Sequence, residues 1–239
     1  MSANWRLTLV SAVSLSFFIL GIVLGQWQLG RAARKEAMAA ERLQASQLPP
    51  LNNQTLAEAM RSGLPLYRQA RLSGNWLAEQ TVYLDNRKMG TQVGLIVTTP
   101  FKLQEQDKVI LVQRGWVARN FLDRSQVPAL ATTSGVIDVT GQITPWPSRL
   151  LDLGEVEQGS IRQNLDPGVL PGDAQWLGVA LSLQQSGPSD EGLRREWVLP
   201  GTGVDKHYGY AFQWFTLSAL VALYYFWFQI VKRFRRPAT

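Results

Sequence analysis

Apolar and polar positions divide this chain into long unbroken apolar runs at its ends and short alternating segments between them. Leu7 to Leu29 ("LTLVSAVSLSFFILGIVLGQWQL") carries no charge, and neither does Tyr208 to Val231 ("YGYAFQWFTLSALVALYYFWFQIV"). Each run exceeds the ~20 residues with which a helix crosses a ~30 Å hydrocarbon layer. Trp5 and Trp27 flank the first run. Tyr208, Tyr210 and Trp214 stand at one end of the second and Tyr224 to Phe228 at the other, as interfacial aromatic belts do. A buried helix in a water-soluble core would rarely run this long without a charge. A cleaved signal peptide fits the first run less well, because only Arg6 precedes it and bulky residues surround the glycines of "GQWQLGR".

Between the runs the period changes. Residues 30–48 are rich in Ala, Glu, Arg and Leu and predict a helix that continues the first span until Pro49-Pro50 stops it. Residues 52–63 predict a short helix with Asn or Thr as its cap and Gly63 as its stop. Segments 66–76, 80–87, 91–101, 108–117 and 135–144 are short, rich in Val, Ile, Tyr and Thr, and separated by turn residues, the pattern of an antiparallel sheet or barrel. Residues 176–185 and 193–200 predict a further strand pair joined by an exposed, mobile loop, Ser186 to Gly192, and a short helix is expected near 166–173. The expected fold is a membrane protein: two transmembrane α-helices bracketing a mainly antiparallel β, barrel-like extracytoplasmic domain with short helices. The expected boundaries are a cytoplasmic N-terminus (1–6), transmembrane helix 1 (7–29), the β domain (30–207), transmembrane helix 2 (208–231) and a basic tail (232–239).

Charge orients this arrangement. The tail holds Lys232, Arg233, Arg235 and Arg236, so the positive-inside rule puts it, and with it the N-terminus, in the cytoplasm. The basic stretch Arg31 to Lys35 pulls mildly the other way, but it opens a long domain, and long domains translocate largely regardless of charge. The pI near 9.8 suggests nucleic acid until the charges are placed. Of 24 basic residues, Arg6 and the four tail residues lie outside Gly30–His207, leaving 19 against all 18 acidic ones, a net +1. The excess belongs to the membrane anchors, and no nucleic-acid partner is expected. With no cysteine, disulfides, thiolate metal sites, iron–sulfur ligation and thiol redox chemistry are excluded. No transit-type segment precedes the first span, so the expected location is a bacterial inner membrane with the β domain in the periplasm.

A single histidine, His207, forbids most catalytic constellations: there is no HExxH pair, no two-histidine metal cage, no GxSxG elbow and no Walker A loop. Asp152, Glu155 and Glu157 read as a solvated loop face, and the protein is not expected to be an enzyme. The spans are more informative. Gly21 and Gly25 stand four apart, a spacing that lets a second helix approach closely. In the second span His207 shares a face with Tyr210, Ala211, Trp214 and Ser218. Gln213 lies on the adjacent face, where a polar side chain in lipid points at a partner or a site. Gln26, Trp27 and Gln28 stand at matching depth in the first span, with Arg31, Arg34 and Lys206 just outside. Two readings stay open. A neutral imidazole between apolar aromatic walls suits haem iron, with the basic residues beside the propionates. Equally, these are belt residues and head-group contacts at a lipid surface.

The motifs resemble the Surfeit locus protein 1 family of cytochrome c oxidase assembly factors. The likeness runs through "GQWQLGRAARKE", "GNW" at Gly74 to Trp76, "YLDNRKMGTQVGLIVTTPF" from Tyr83, "VQRGWVARN" from Val112 and "HYGYAFQWF" from His207. It implies a role in maturing the haem a-containing oxidase subunit by handling haem a. The implied partners are that catalytic subunit, other assembly factors and the haem a synthesis enzyme, alongside membrane lipid. The family's second-span histidine falls on His207, its tyrosine, glutamine and tryptophan on Tyr210, Gln213 and Trp214, and the tryptophan of its first-span motif on Trp27. Gln28 and Arg31 complete the candidate haem a contacts, with His207 as the iron ligand. Tyr208 stands where relatives often show Leu. "RGW" and "LDNR" read as fold determinants: Gly115 permits a bulge, and Arg114 and Arg87 pair with acids or carbonyls. The alternative is a membrane scaffold that holds an oxidase assembly intermediate and never touches haem.

Overall fold

The computed structural model of the protein describes residues 3–123, 126–151, 159–167, 175–177, 181–197 and 201–231. The chain divides into two compact units, a helical one (Met1–Ala40 with Leu199–Thr239) and a β unit (Glu41–Val198).

In the helical unit α1 runs Ala3–Gln47, 45 residues without a break, or about 67 Å at ~1.5 Å per residue. That length carries it beyond its span, and it ends just before Pro49-Pro50 as the composition predicts. The second helix of this unit, α3, covers Val204–Tyr225 and finishes in a π-helical turn, Phe226–Val231. Both helices are long and apolar enough to cross a membrane.

The β unit opens with α2, Asn53–Ser62. Asn52 caps it reciprocally: its side chain accepts from the Thr55 amide, and its own amide donates to Thr55 Oγ1, both at 2.8 Å. Seven strands follow: β1 Gln69–Trp76, β2 Val82–Met89, β3 Gln92–Leu103, β4 Val109–Ala118, β5 Ile137–Pro145, β6 Ile161–Arg162 and β7 Leu181–Gln185. Their order is β1-β5-β7-β4-β3-β2-β6, and β1 pairs again with β3, so that β1, β5, β7, β4 and β3 close a ring. Closure gives each of those five strands a paired neighbour on both sides. β3 makes this possible by its length. Residues 92–98 pair with β2, and Phe101 to Leu103 pair with Trp76 to Gly74 of β1. At that crossing a β-carbon on Gly74 would stand 2.1 Å from the Lys102 carbonyl oxygen, so only glycine lets the two backbones meet.

Alternation along the ring buries Leu72, Phe101, Ile110, Val112, Val139, Ile143 and Leu183 in one core, and α2 adds Leu56. Each such side chain contributes about 1.5–3 kcal/mol relative to exposure. The pairing is mainly antiparallel, as the alternating segments predict, with parallel additions at β4–β7 and β2–β6.

The two motif segments read as fold determinants carry irregularities. β4 bulges at Arg114: Gln113 opposes Thr98 and Gly115 opposes Val97, leaving Arg114 unpaired between them. Its guanidinium is fully buried, ion-paired with Glu191, hydrogen-bonded to Thr132 at 2.9 Å and stacked 4.7 Å from the Trp76 ring. β2 shifts register between Leu84 and Arg87, with Asn86 at φ 57°, a left-handed conformation that asparagine tolerates. Arg87 there donates to the Gln163 carbonyl at 2.9 Å.

The structure differs from expectation after β7. Residues 193–197 form no strand beside β7. The segment instead docks on β4, where Arg194 and Trp116 exchange backbone hydrogen bonds of 2.7 and 2.8 Å. β7 covers only Leu111 to Gln113 of that β4 edge, and Arg194 takes the stretch left open. The loop expected to be mobile, Ser186 to Gly192, is exposed but strapped. Glu191 pairs with Arg114, and Arg195 donates to the Pro188 carbonyl at 2.6 Å. The helix expected near 166–173, the acidic trio 152, 155 and 157, and the basic tail 232–239 lie wholly or largely outside the described residues.

Candidate functional site

Small residues set the distance between α1 and α3. Gly21, Gly25 and Ala32 of α1 are all buried and, with Gln28, fall at intervals of four, three and four, a single stripe along the helix. α3 meets this stripe with Ser218, Phe215 and His207. A β-carbon on Gly21 would stand 2.0 Å from Ser218 Oγ, and one on Gly25 would stand 2.5 Å from the Phe215 ring. The small-residue spacing therefore faces the second helix, as expected. Polar contacts punctuate the seam. Ser11 Oγ and Tyr225 OH lie 2.7 Å apart at one end, and Ser218 donates to the Phe18 carbonyl at 3.2 Å. Near the other end His207 Nδ1 lies 2.8 Å from Gln28 Oε1.

Of the candidate residues, the structure brings His207 and Gln28 into contact and disposes the rest around them. Trp27 is 49% exposed, and the Arg31 guanidinium sits 5.1 Å over its ring, one helical turn farther on. Trp214 is half-buried, its carbonyl turned toward Gly21. Tyr210, 52% exposed, and Gln213 lie on the open surface of α3. Arg34 donates to the Gly30 carbonyl of its own helix at 3.3 Å, while Gln26 and Lys206 are exposed. Among the described residues, Gln28 is the candidate side chain in hydrogen-bond contact with the imidazole, which is itself only partly exposed.

Sequence reasoning missed two contacts that extend the seam beyond His207. Tyr208 OH donates to Glu36 at 2.8 Å, and Lys35 Nζ donates to the Thr202 carbonyl at 2.9 Å. The signal was present: Glu36 follows Ala32 by one turn, a carboxylate on the packing stripe just past the apolar run.

In the β unit the charged groups are structural. Burial pulls the Arg195 pKa below its usual value, against the opposing pull of Glu191. Burial raises the Tyr83 phenol. Hydrogen bonds from Ser73 and Arg71 hold the Asp138 carboxyl low. Among the described residues no group of three or more His, Asp or Glu side chains is placed to hold a metal ion. A single imidazole on the helix seam, paired with one amide, suits a ligand that needs one nitrogen and brings its own remaining donors, as a porphyrin does.

Fold and seam together define a membrane protein whose two paired spans bracket a ring-closed β domain and offer one imidazole near the end of their contact. Within that class the family is determined by comparison. The model of the SURF1 family matches residues 15–219, and the chain belongs to that family. It is 42% identical over 106 residues to a SURF1-like protein of Rickettsia conorii, an alignment covering 44% of this chain and 41% of the relative. A SURF1-like protein of Rickettsia felis is 41% identical over 44% of each chain. These alignments span about two fifths of the Rickettsia relatives' length. A SURF1-like protein of Drosophila melanogaster is 25% identical over 96% of this chain and 78% of its own.

Proposed function

We propose that the protein is an assembly factor for haem–copper cytochrome c oxidase, binding haem a as cargo through His207 and aiding its insertion into the catalytic subunit. The observation that carries this reading is the His207–Gln28 pair near the end of the spans of a SURF1-family chain. One ring nitrogen faces Gln28, and the other makes no hydrogen bond among the described residues. Trp27, Tyr210, Gln213 and Trp214 supply neighbouring aromatic and amide surface. Arg31 and Lys206 supply cations for carboxylates at the water boundary. A lone ligand on a partly open helix pair suits a carrier, because cargo has to leave as well as bind.

In this reading the protein sits in a bacterial inner membrane, with its termini cytoplasmic and its β domain periplasmic, as the basic tail supports. It works beside the oxidase catalytic subunit, other assembly factors and the haem a synthesis enzyme. The test compares wild type with His207→Ala in cells that make haem a, reading the pigment spectrum of the purified protein and the haem a content of the oxidase. The variant should lose the pigment and deplete the oxidase of haem a while its β domain stays folded. Normal oxidase haem content would leave the scaffold reading standing instead.

A further inference from the structure

We propose that Gln28 is a positioning residue that sets the tautomer of His207. Its side-chain carbonyl takes the Nδ1 proton, so the neutral ring is held as the Nδ1–H form with Nε2 bare.

The argument starts from the 2.8 Å contact between His207 Nδ1 and Gln28 Oε1. An amide oxygen only accepts, so a neutral imidazole facing it must donate from Nδ1, and the ring's single proton is then spent. Nε2 is left with its lone pair and no hydrogen-bond partner among the described residues. Neutral histidine in water favours the opposite form, with the proton on Nε2. Gln28 reverses this preference.

The amide is well placed for the task. Gln28 lies on the packing stripe between Gly25, which meets the Phe215 ring of α3, and the buried Ala32, so the helix that carries it has little freedom to withdraw. The tautomer decides which nitrogen is offered. Nε2 is the nitrogen farther from the main chain, and with its lone pair bare it is the one able to donate to a Lewis-acidic ligand. Gln28 thereby acts through His207 rather than by touching a ligand itself. Its use, though not its existence, rests on the reading of His207 as a haem ligand.

A single imidazole makes the test direct. Full-length protein, ¹⁵N-labelled, carrying no histidine tag and made in cells that lack haem a, is placed in lipid nanodiscs. The pH is set well above the ordinary imidazole value of ~6.5. Long-range ¹H–¹⁵N correlation spectra then report both ring nitrogens without any need for residue assignment. Wild type should show a protonated Nδ1 and a bare Nε2. Gln28→Glu, which keeps an acceptor oxygen, should show the same pattern. Gln28→Leu should move the proton to Nε2 and exchange the two nitrogen shifts. A wild-type ring protonated on Nε2 would mean that the amide turns its NH₂ toward the ring, and the proposal falls. It falls equally if Gln28→Leu keeps the wild-type pattern. Should Gln28→Leu misfold, the wild-type and Gln28→Glu spectra still decide. The two readings fail separately. A bare Nε2 together with normal oxidase haem in His207→Ala cells overturns the haem reading alone. A protonated Nε2 together with depleted oxidase haem overturns the tautomer alone.

Discussion

Gly21 of α1 and Ser218 of α3 meet so closely that a β-carbon on the glycine would stand 2.0 Å from the serine oxygen, and that serine donates to the Phe18 carbonyl. Apolar side chains gain nothing by leaving lipid for one another, so the pair depends on close backbone approach and on such polar contacts. Gly21→Leu and Gly25→Leu should each destabilise the helix pair by the ~1–3 kcal/mol typical of overpacking. Gly30→Leu is the control, because no atom of the described residues lies within 4 Å of a β-carbon there. Thermal unfolding in detergent followed by circular dichroism reads the difference, and equal Tm values for all three would make the spacing incidental.

The buried Arg114 leaves a second, independent mark. Its side chain is fully buried and that of Glu191 is 17% exposed. Removing one partner strands the other's charge, at a cost of ~3–5 kcal/mol for a buried pair. Glu191→Leu should therefore unfold the β unit at markedly lower urea, while Arg114→Met with Glu191→Leu recovers much of the loss. The single variant should also release Ser186 to Gly192, giving new protease cleavage there that wild type resists. Additive losses in the double variant would contradict the pairing.

Ring closure at Gly74 is testable by one methyl group. In Gly74→Ala the new carbon points at the Lys102 carbonyl, a backbone atom that cannot rotate aside. Amide hydrogen exchange should accelerate where Gly74 to Trp76 pair with Phe101 to Leu103, while the β1–β5 ladder, Gln69 to Gly74 against Gln142 to Ile137, stays protected. Uniform acceleration across both ladders would mean that closure is not the local function of that glycine.

Asp138 gives the β unit an acid-side dependence. Hydrogen bonds from Ser73 and Arg71 lower its pKa from the ordinary 3.8. A depressed carboxylate contributes stability above its unfolded value, and that contribution is lost as pH falls through the folded value. Asp138→Asn should therefore be less stable than wild type near neutrality, and the gap should close below about pH 4. Added salt should narrow it too, since Arg71 and Asp138 are exposed at the surface. A gap unchanged between neutral and acid pH would remove the ion pair as its cause.

Local physics was enough for much of this. Two uncharged runs longer than a bilayer needs, a helix that continues until Pro49-Pro50, the Asn52 cap and the alternating β segments follow from residue type and period alone. So does the expectation of a bulge at Gly115, while the four-residue spacing of Gly21 and Gly25 marks a helix face able to pack closely. Each depends on interactions within a few residues or on the solvent around an element.

What needed the tertiary structure was pairing across long stretches of chain. No local pattern tells β1 to pair with both β5 and β3 and close a ring, or sends Arg194 to the open edge of β4 instead of to β7. The strapped loop was unreadable because its fastener, Arg114, lies 77 residues from Glu191, and a run of Gly, Pro, Ser and Asp looks mobile until that partner is seen. Similarly, composition placed His207, Gln28 and Trp27 at one depth. Only helix packing decided that Gln28 reaches the imidazole while Trp27 turns outward beneath Arg31, because rotation about a helix axis is set by the neighbour it packs against.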